Sequence, residues 1–198
     1  MKLTSRNQIV VVVTACIVLI GACIYYLIAQ RPSEAKVPVS APMLVNQPMK
    51  GAGVDVMLIE DYHCPTCREF TRTVYPELSD MAEAGEIRLI YLNPAKSGEK
   101  LQTAAVGECA WMVRPESFWD VKRAFYSNDL SGDAPARLSG LDGTTLNACW
   151  DDAQREAVRD LEIARQLGVN STPTVVVDNV LYKNPGIGTL KKAVAGQD

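Results

Sequence analysis

The chain reads as an α/β domain in which a parallel βαβ unit and a C-terminal ββα unit flank a helical insertion, the whole preceded by one transmembrane helix. Three features predict this. Ile9 to Ala29 carries no charge, apolar runs of strand composition occur at 54–60, 87–92, 174–178 and 180–183, and the stretch between Asn93 and Gly168 shows only helical patterns. A length of 198 residues leaves room for one domain of ordinary size plus an appendage. The expected division is a cytoplasmic N-terminus at 1–8, a signal-anchor helix at 9–29, an extended linker at 30–50, and a folded domain at 51–198 with its insertion at about 95–168.

As a helix, Ile9 to Ala29 would be about 31 Å long, enough to span a bilayer. Lys2 and Arg6 precede it, so the positive-inside tendency keeps the N-terminus in the cytoplasm and exports the rest. A cleaved secretory signal would have a shorter apolar core. A lipoprotein is the third reading, because Ile20-Gly21-Ala22-Cys23 is similar to a lipobox, although the residues after Cys23 stay apolar. Cys16 and Cys23 lie seven apart on one helical face and are assigned no chemistry.

Beyond the anchor, Pro32, Pro38, Pro42 and Pro48 among Ser, Ala and Lys describe an extended tether. Val54 to Glu60 is a short apolar run with a β-branched start, read as a buried strand. Phe70, Val74, Leu78 and Met81 recur at helical spacing up to Gly85, so one helix opens at or just after Cys64, and Ile87 to Leu92 is the next strand. The insertion contains helices at Leu101–Val113, Ser117–Tyr126, Thr144–Trp150 and Asp151–Leu167, the last capped by Gly168. A hairpin around Asp178-Asn179 and a helix from Thr189 to Ala195 close the domain.

Composition excludes some classes. With 20 basic and 23 acidic residues and no run of like charge, nothing points to nucleic acid. His63 is the single histidine, and no second C-x-x-C accompanies the first, so neither a metal site nor a cofactor is expected. What remains is Cys64-Pro65-Thr66-Cys67 at the start of a helix after a strand. Unpaired N–H groups at a helix N-terminus favour a thiolate on Cys64, and Cys67, one turn on, is spaced to resolve a mixed disulfide. Pro65 suits the first helical turn, where no N–H is needed. Half of a zinc site and a static disulfide are the competing readings of such a pair.

Asp61-Tyr62-His63-Cys64-Pro65-Thr66-Cys67, Leu167-Gly168-Val169 and Thr172-Pro173-Thr174 together resemble the DsbA family of thioredoxin-like proteins, over about residues 51 to 198. The resemblance implies a thioredoxin-like fold and disulfide exchange at Cys64 and Cys67. It also implies a cis Pro173 beside the pair, with Thr172 offering backbone hydrogen bonds to a substrate chain. Many relatives have a buried acid six positions before the first cysteine, as proton acceptor for the second thiol, whereas Leu58 stands there in this chain. Glu60 or Asp61 could substitute, or both could simply be solvated. His63 as imidazolium could lower the Cys64 pKa, or be exposed without a role. In an oxidising compartment Cys109 and Cys149 are expected to pair, as second cysteines do in some relatives, the alternative being two buried reduced thiols.

The function expected is oxidation of thiols in exported polypeptides by a monomer on the outer side of the bacterial inner membrane, with a membrane protein of unspecified identity reoxidising the pair. A tethered reductase, for example in cytochrome c maturation, and a redox-inactive peptide-binding chaperone remain as alternatives. An isomerase would need a dimerisation domain for which the tether is too short.

Overall fold

The structure, a computed structural model, describes residues 13–22, 35–37, 39–40 and 44–196. The chain divides into two units, Met1–Ser33 and Glu34–Asp198. In the first, residues 13–22 form helix α1. No helix among the described residues is long and apolar enough to cross a membrane. The rest of the anchor at 9–29, the 1–8 segment and Cys23 lie outside the described residues.

The second unit is built on a mixed sheet ordered β1-β6-β5-β3-β4-β2, with β1 Ala35–Lys36, β2 Met49–Gly51, β3 Val54–Ile59, β4 Ile87–Leu92, β5 Thr174–Val177 and β6 Val180–Lys183. Strand β3 runs parallel to β4, with Val56 opposite Leu89, and antiparallel to β5, with Met57 opposite Val176. From Val56 to Ile59 its side chains are apolar on both faces because both are covered. Val56 and Leu58 pack with Phe70, Phe118 and Phe125, while Met57 and Ile59 pack with Ile163, Ala164 and Leu167. The hairpin turn has Asp178 and Asn179 both at positive φ, +47° and +65°, the pairing a two-residue turn of primed type requires.

Stretch 30–50, expected as an extended linker, instead supplies the two edge strands. β1 pairs with β6 and β2 with β4, and Tyr91 N–H donates to the Pro48 carbonyl at 2.9 Å. Strands of two or three residues leave no alternation to read in a Pro-rich segment, and their position depends on the open sheet edges they cover.

The helix expected after Cys64 is two helices, α2 Pro65–Thr73 and α3 Tyr75–Glu83, broken at Val74. Pro76 has no N–H to donate to the carbonyl four residues back, so the hydrogen-bond ladder cannot continue. The insertion comprises α4 Gly98–Val113, α5 Phe118–Ser127, α6 Ala134–Ser139 and α7 Gly143–Gln166, and α8 Ile187–Val194 ends the fold. Helix α6 is absent from the sequence reading. The helices expected at 144–150 and 151–167 are one, since no Pro or Gly interrupts them, and Asp142 caps it by accepting from Thr145 N–H at 2.9 Å. Asp160 of α7 accepts from Asn93 N–H at 2.6 Å, tying the insertion to the end of β4.

Cys109 on α4 and Cys149 on α7 form a disulfide with Cα atoms 5.7 Å apart. It closes a 40-residue separation, worth roughly 4 kcal/mol in the chain-entropy view. Replacing both cysteines with Ala is expected to lower the denaturant midpoint accordingly, and an unchanged midpoint would show that the bridge does not stabilise the fold.

Candidate active site

The sheet register assembles the site. Ile59 pairs with Thr174, which sets the end of β3 and the start of α2 beside the Thr172–Pro173 peptide, and that peptide is cis. Between β3 and α2, Asp61 shapes the turn: its carbonyl accepts from Cys64 N–H at 2.9 Å and its carboxylate from His63 N–H at 2.8 Å. Lys100 of α4 holds the other carboxylate oxygen at 2.5 Å. Tyr62 points inward against Tyr91, Phe125 and Tyr126. Gly107 of α4 permits this approach, because a Cβ there would lie 2.9 Å from the Tyr62 hydroxyl.

Cys64 and Cys67 are both unbridged. Cys64 is the N-cap of α2 and half-buried, Pro65 and Thr66 are exposed, and Cys67 is completely buried. Burial alone would push the Cys64 thiol up, but the net shift is downward. The Thr172 side chain, the Cys67 and Thr66 N–H groups and the Cys67 thiol all favour its anion. None of those N–H groups forms a capping hydrogen bond of good geometry, so they act on the sulfur as aligned dipoles. The Thr172 carbonyl, 3.5 Å away, accepts from the Cys64 thiol. Cys67 moves the opposite way, raised by burial and then by the charge of Glu60. The His63 ring meets Thr103 Oγ1 at 3.0 Å.

Glu60 is not solvated. It is 0 % exposed and pairs with Lys122, also 0 % exposed, at 2.8 Å, in a geometry too bent for a straight hydrogen bond. Thr71 Oγ1 donates to the other carboxylate oxygen at 3.4 Å. The Lys122 ammonium lies over the rings of Tyr75, Tyr91 and Tyr126, 4.2, 5.1 and 4.9 Å from their centroids. Burial raises the Glu60 carboxyl and lowers the Lys122 amine, each opposed by the other's charge. A buried acid thus lies within electrostatic reach of Cys67, two residues further along the chain than Leu58 and just past the end of β3. Asp61, engaged by Lys100 and His63, is the surface member of the two.

Lys122, Thr71 and Thr103 escape a reading of motifs. One signal for Lys122 exists: it shares the inward face of α5 with Phe118, Phe125 and Tyr126, an unusual place for a lysine without a buried partner. Among the described residues no group of three or more His, Cys, Asp or Glu could hold a metal ion.

A family model described as thioredoxin matches residues 49–195. The chain is 25% identical over 161 residues to disulfide bond formation protein D of Bacillus subtilis, covering 72% of each. Oxidised BdbD from Bacillus subtilis superposes with a TM-score of 0.71 at 20% identity, over 83% of this chain and 97% of that one. DsbA of Chlamydia trachomatis gives 0.68 at 17% identity, over 83% and 96%.

Proposed function

The chain belongs to the thioredoxin family, and on that premise we propose that it is a thiol-disulfide oxidoreductase that oxidises exported polypeptides through Cys64 and Cys67. The relative named disulfide bond formation protein D supports the direction. The uncharged run Ile9–Ala29 after Lys2 and Arg6 supports a single-pass anchor with the domain on the outer side of a bacterial inner membrane. There the protein works as a monomer, and a membrane redox partner restores its disulfide.

The reaction starts from the Cys64–Cys67 disulfide. A substrate thiolate attacks the Cys64 sulfur, forming a mixed disulfide and breaking the bond to Cys67, which leaves as a thiolate. Beside Glu60 a second buried negative charge is unfavourable, so Cys67 takes a proton, for which the Glu60–Lys122 pair is the proposed source. A second substrate thiolate then attacks the substrate sulfur and expels Cys64 as a stabilised thiolate. Two substrate thiols become one disulfide, and their two electrons rest on the cysteine pair. Thr172 aligns the substrate backbone beside the mixed disulfide, with the cis Pro173 setting the direction of that edge.

The observation that carries this reading is the unequal placement of the two thiols, Cys64 half-buried at the N-cap of α2 and Cys67 completely buried one turn on, which pulls the first downward and the second upward. Thiolate absorbance of the reduced protein is expected to titrate one group below the ordinary cysteine range and leave the other protonated well above it. Thr172→Val is expected to move the first midpoint upward. Two thiols titrating together near the value of free cysteine would refute the reading.

A further inference from the structure

A groove of about 400 Å³ crosses the helical insertion between α4, α6 and the start of α7, and the disulfide exchange described above does not use it. Its apolar lining comes from Val106, Leu130, Pro135, Leu146 and Trp150. Leu146 and Trp150 are only partly buried and belong to the cluster around Cys109, so the disulfide backs this wall. Thr103 also lines the groove, and its hydroxyl meets the His63 ring. The groove therefore reaches to the side chain immediately before the nucleophile.

The charged groups that line the rim are acidic. Glu99 and Asp133 line it and no Lys or Arg does, and because Asp133 is paired with Arg137, Glu99 carries the negative charge of the lining. Asp129 and Asp142 are sequence neighbours of the lining residues Leu130 and Gly143, both carboxylates are exposed, and the nearby Arg137 is already paired with Asp133. An apolar floor under an acidic rim complements an apolar side chain accompanied by a basic one.

The mixed disulfide decides what lies there. While joined to Cys64, a substrate's flanking chain is held at high local concentration over the adjoining surface, and extended chain covers about 3.3 Å per residue. We infer that this groove is a substrate subsite, taking an apolar residue next to a basic one a few positions from the reacting cysteine of an unfolded polypeptide. The inference rests on the oxidoreductase reading and adds a sequence preference to it.

The test uses two peptides, each with the same pair of cysteines, one carrying Leu-Arg about three to five residues from the first cysteine and the other Gly-Ser there. The oxidised protein is expected to oxidise the Leu-Arg peptide with kcat/KM about tenfold higher. In Ala136→Trp, which fills the groove from α6, that ratio is expected to fall towards one. Glu99→Lys, on an exposed rim position, tests the charge without repacking: the Leu-Arg preference should weaken and a Leu-Glu peptide should gain. Equal rates for the two peptides, or a ratio unaltered in both variants, would overturn the subsite while leaving the redox reading standing. Failure to oxidise either peptide would overturn both.

Discussion

Cys67→Ala is expected to turn the protein from a catalyst into a trap, and Cys64→Ser to abolish activity. With Cys67 absent, the Cys64 thiolate can still attack a disulfide in another chain, releasing one of its thiols, and the mixed disulfide so formed has no internal thiol to resolve it. The substrate stays attached, visible as a covalent adduct on a non-reducing gel that thiol reductant removes. Serine at position 64 removes the exposed sulfur on which every step acts, so oxidation of a reduced polypeptide should fall by on the order of 10³-fold or more, to the uncatalysed rate. The asymmetry follows from placement: Cys64 is half-buried at the helix N-cap, whereas Cys67 is completely enclosed and cannot meet a bulky substrate. Adducts forming on Cys67 in a Cys64→Ala variant would contradict that placement.

Lys122→Met is expected to produce the largest loss of stability. It leaves the Glu60 carboxylate fully buried without its counter-charge, and breaking a buried pair in this way costs about 3–5 kcal/mol, or on the order of 10 °C in Tm for a domain of this size. The pH dependence distinguishes this cause from lost packing. A carboxyl whose folded pKa is raised destabilises the fold where it must ionise, above its unfolded value, and the penalty disappears as pH falls. The deficit should therefore shrink between about pH 8 and pH 5. Adding Glu60→Leu removes the stranded charge and should recover most of the stability, since an apolar replacement of a buried pair is often neutral. A deficit independent of pH, or a double variant no better than the single, would assign the loss to the tyrosine cage instead.

The parts of the fold that sequence makes visible depend on local pattern. Val54–Glu60, the helix start at Cys64 and the strands around Asp178-Asn179 each carry a period, a cap or a turn residue within a few positions. Elements fixed by distant partners are harder to see. β1 and β2 exist because β6 and β4 present open edges, and nothing in Ala35-Lys36 or Met49-Lys50-Gly51 announces those partners. The break at Val74 was readable from Pro76, but the continuing apolar spacing through Leu78 and Met81 masked it. At the site the two cysteines and Pro173 are conspicuous by spacing, and Leu58 shows that no acid stands six positions before Cys64. That Glu60 lies inside rather than in solvent depends on Lys122, sixty-two residues away on a helix of the insertion, and no local pattern connects them.

On the proposed reading the reduced pair is the favoured state, because the Cys64 thiolate is stabilised while Cys67 remains a thiol. Equilibrating the purified protein with glutathione buffers and measuring its reduction potential tests this directly. The expected value lies well above the about −270 mV of a reducing thioredoxin, towards the about −120 mV of a strong oxidant. A value at or below the thioredoxin figure would mean that the disulfide is the stable form, and that the protein donates electrons to its partners.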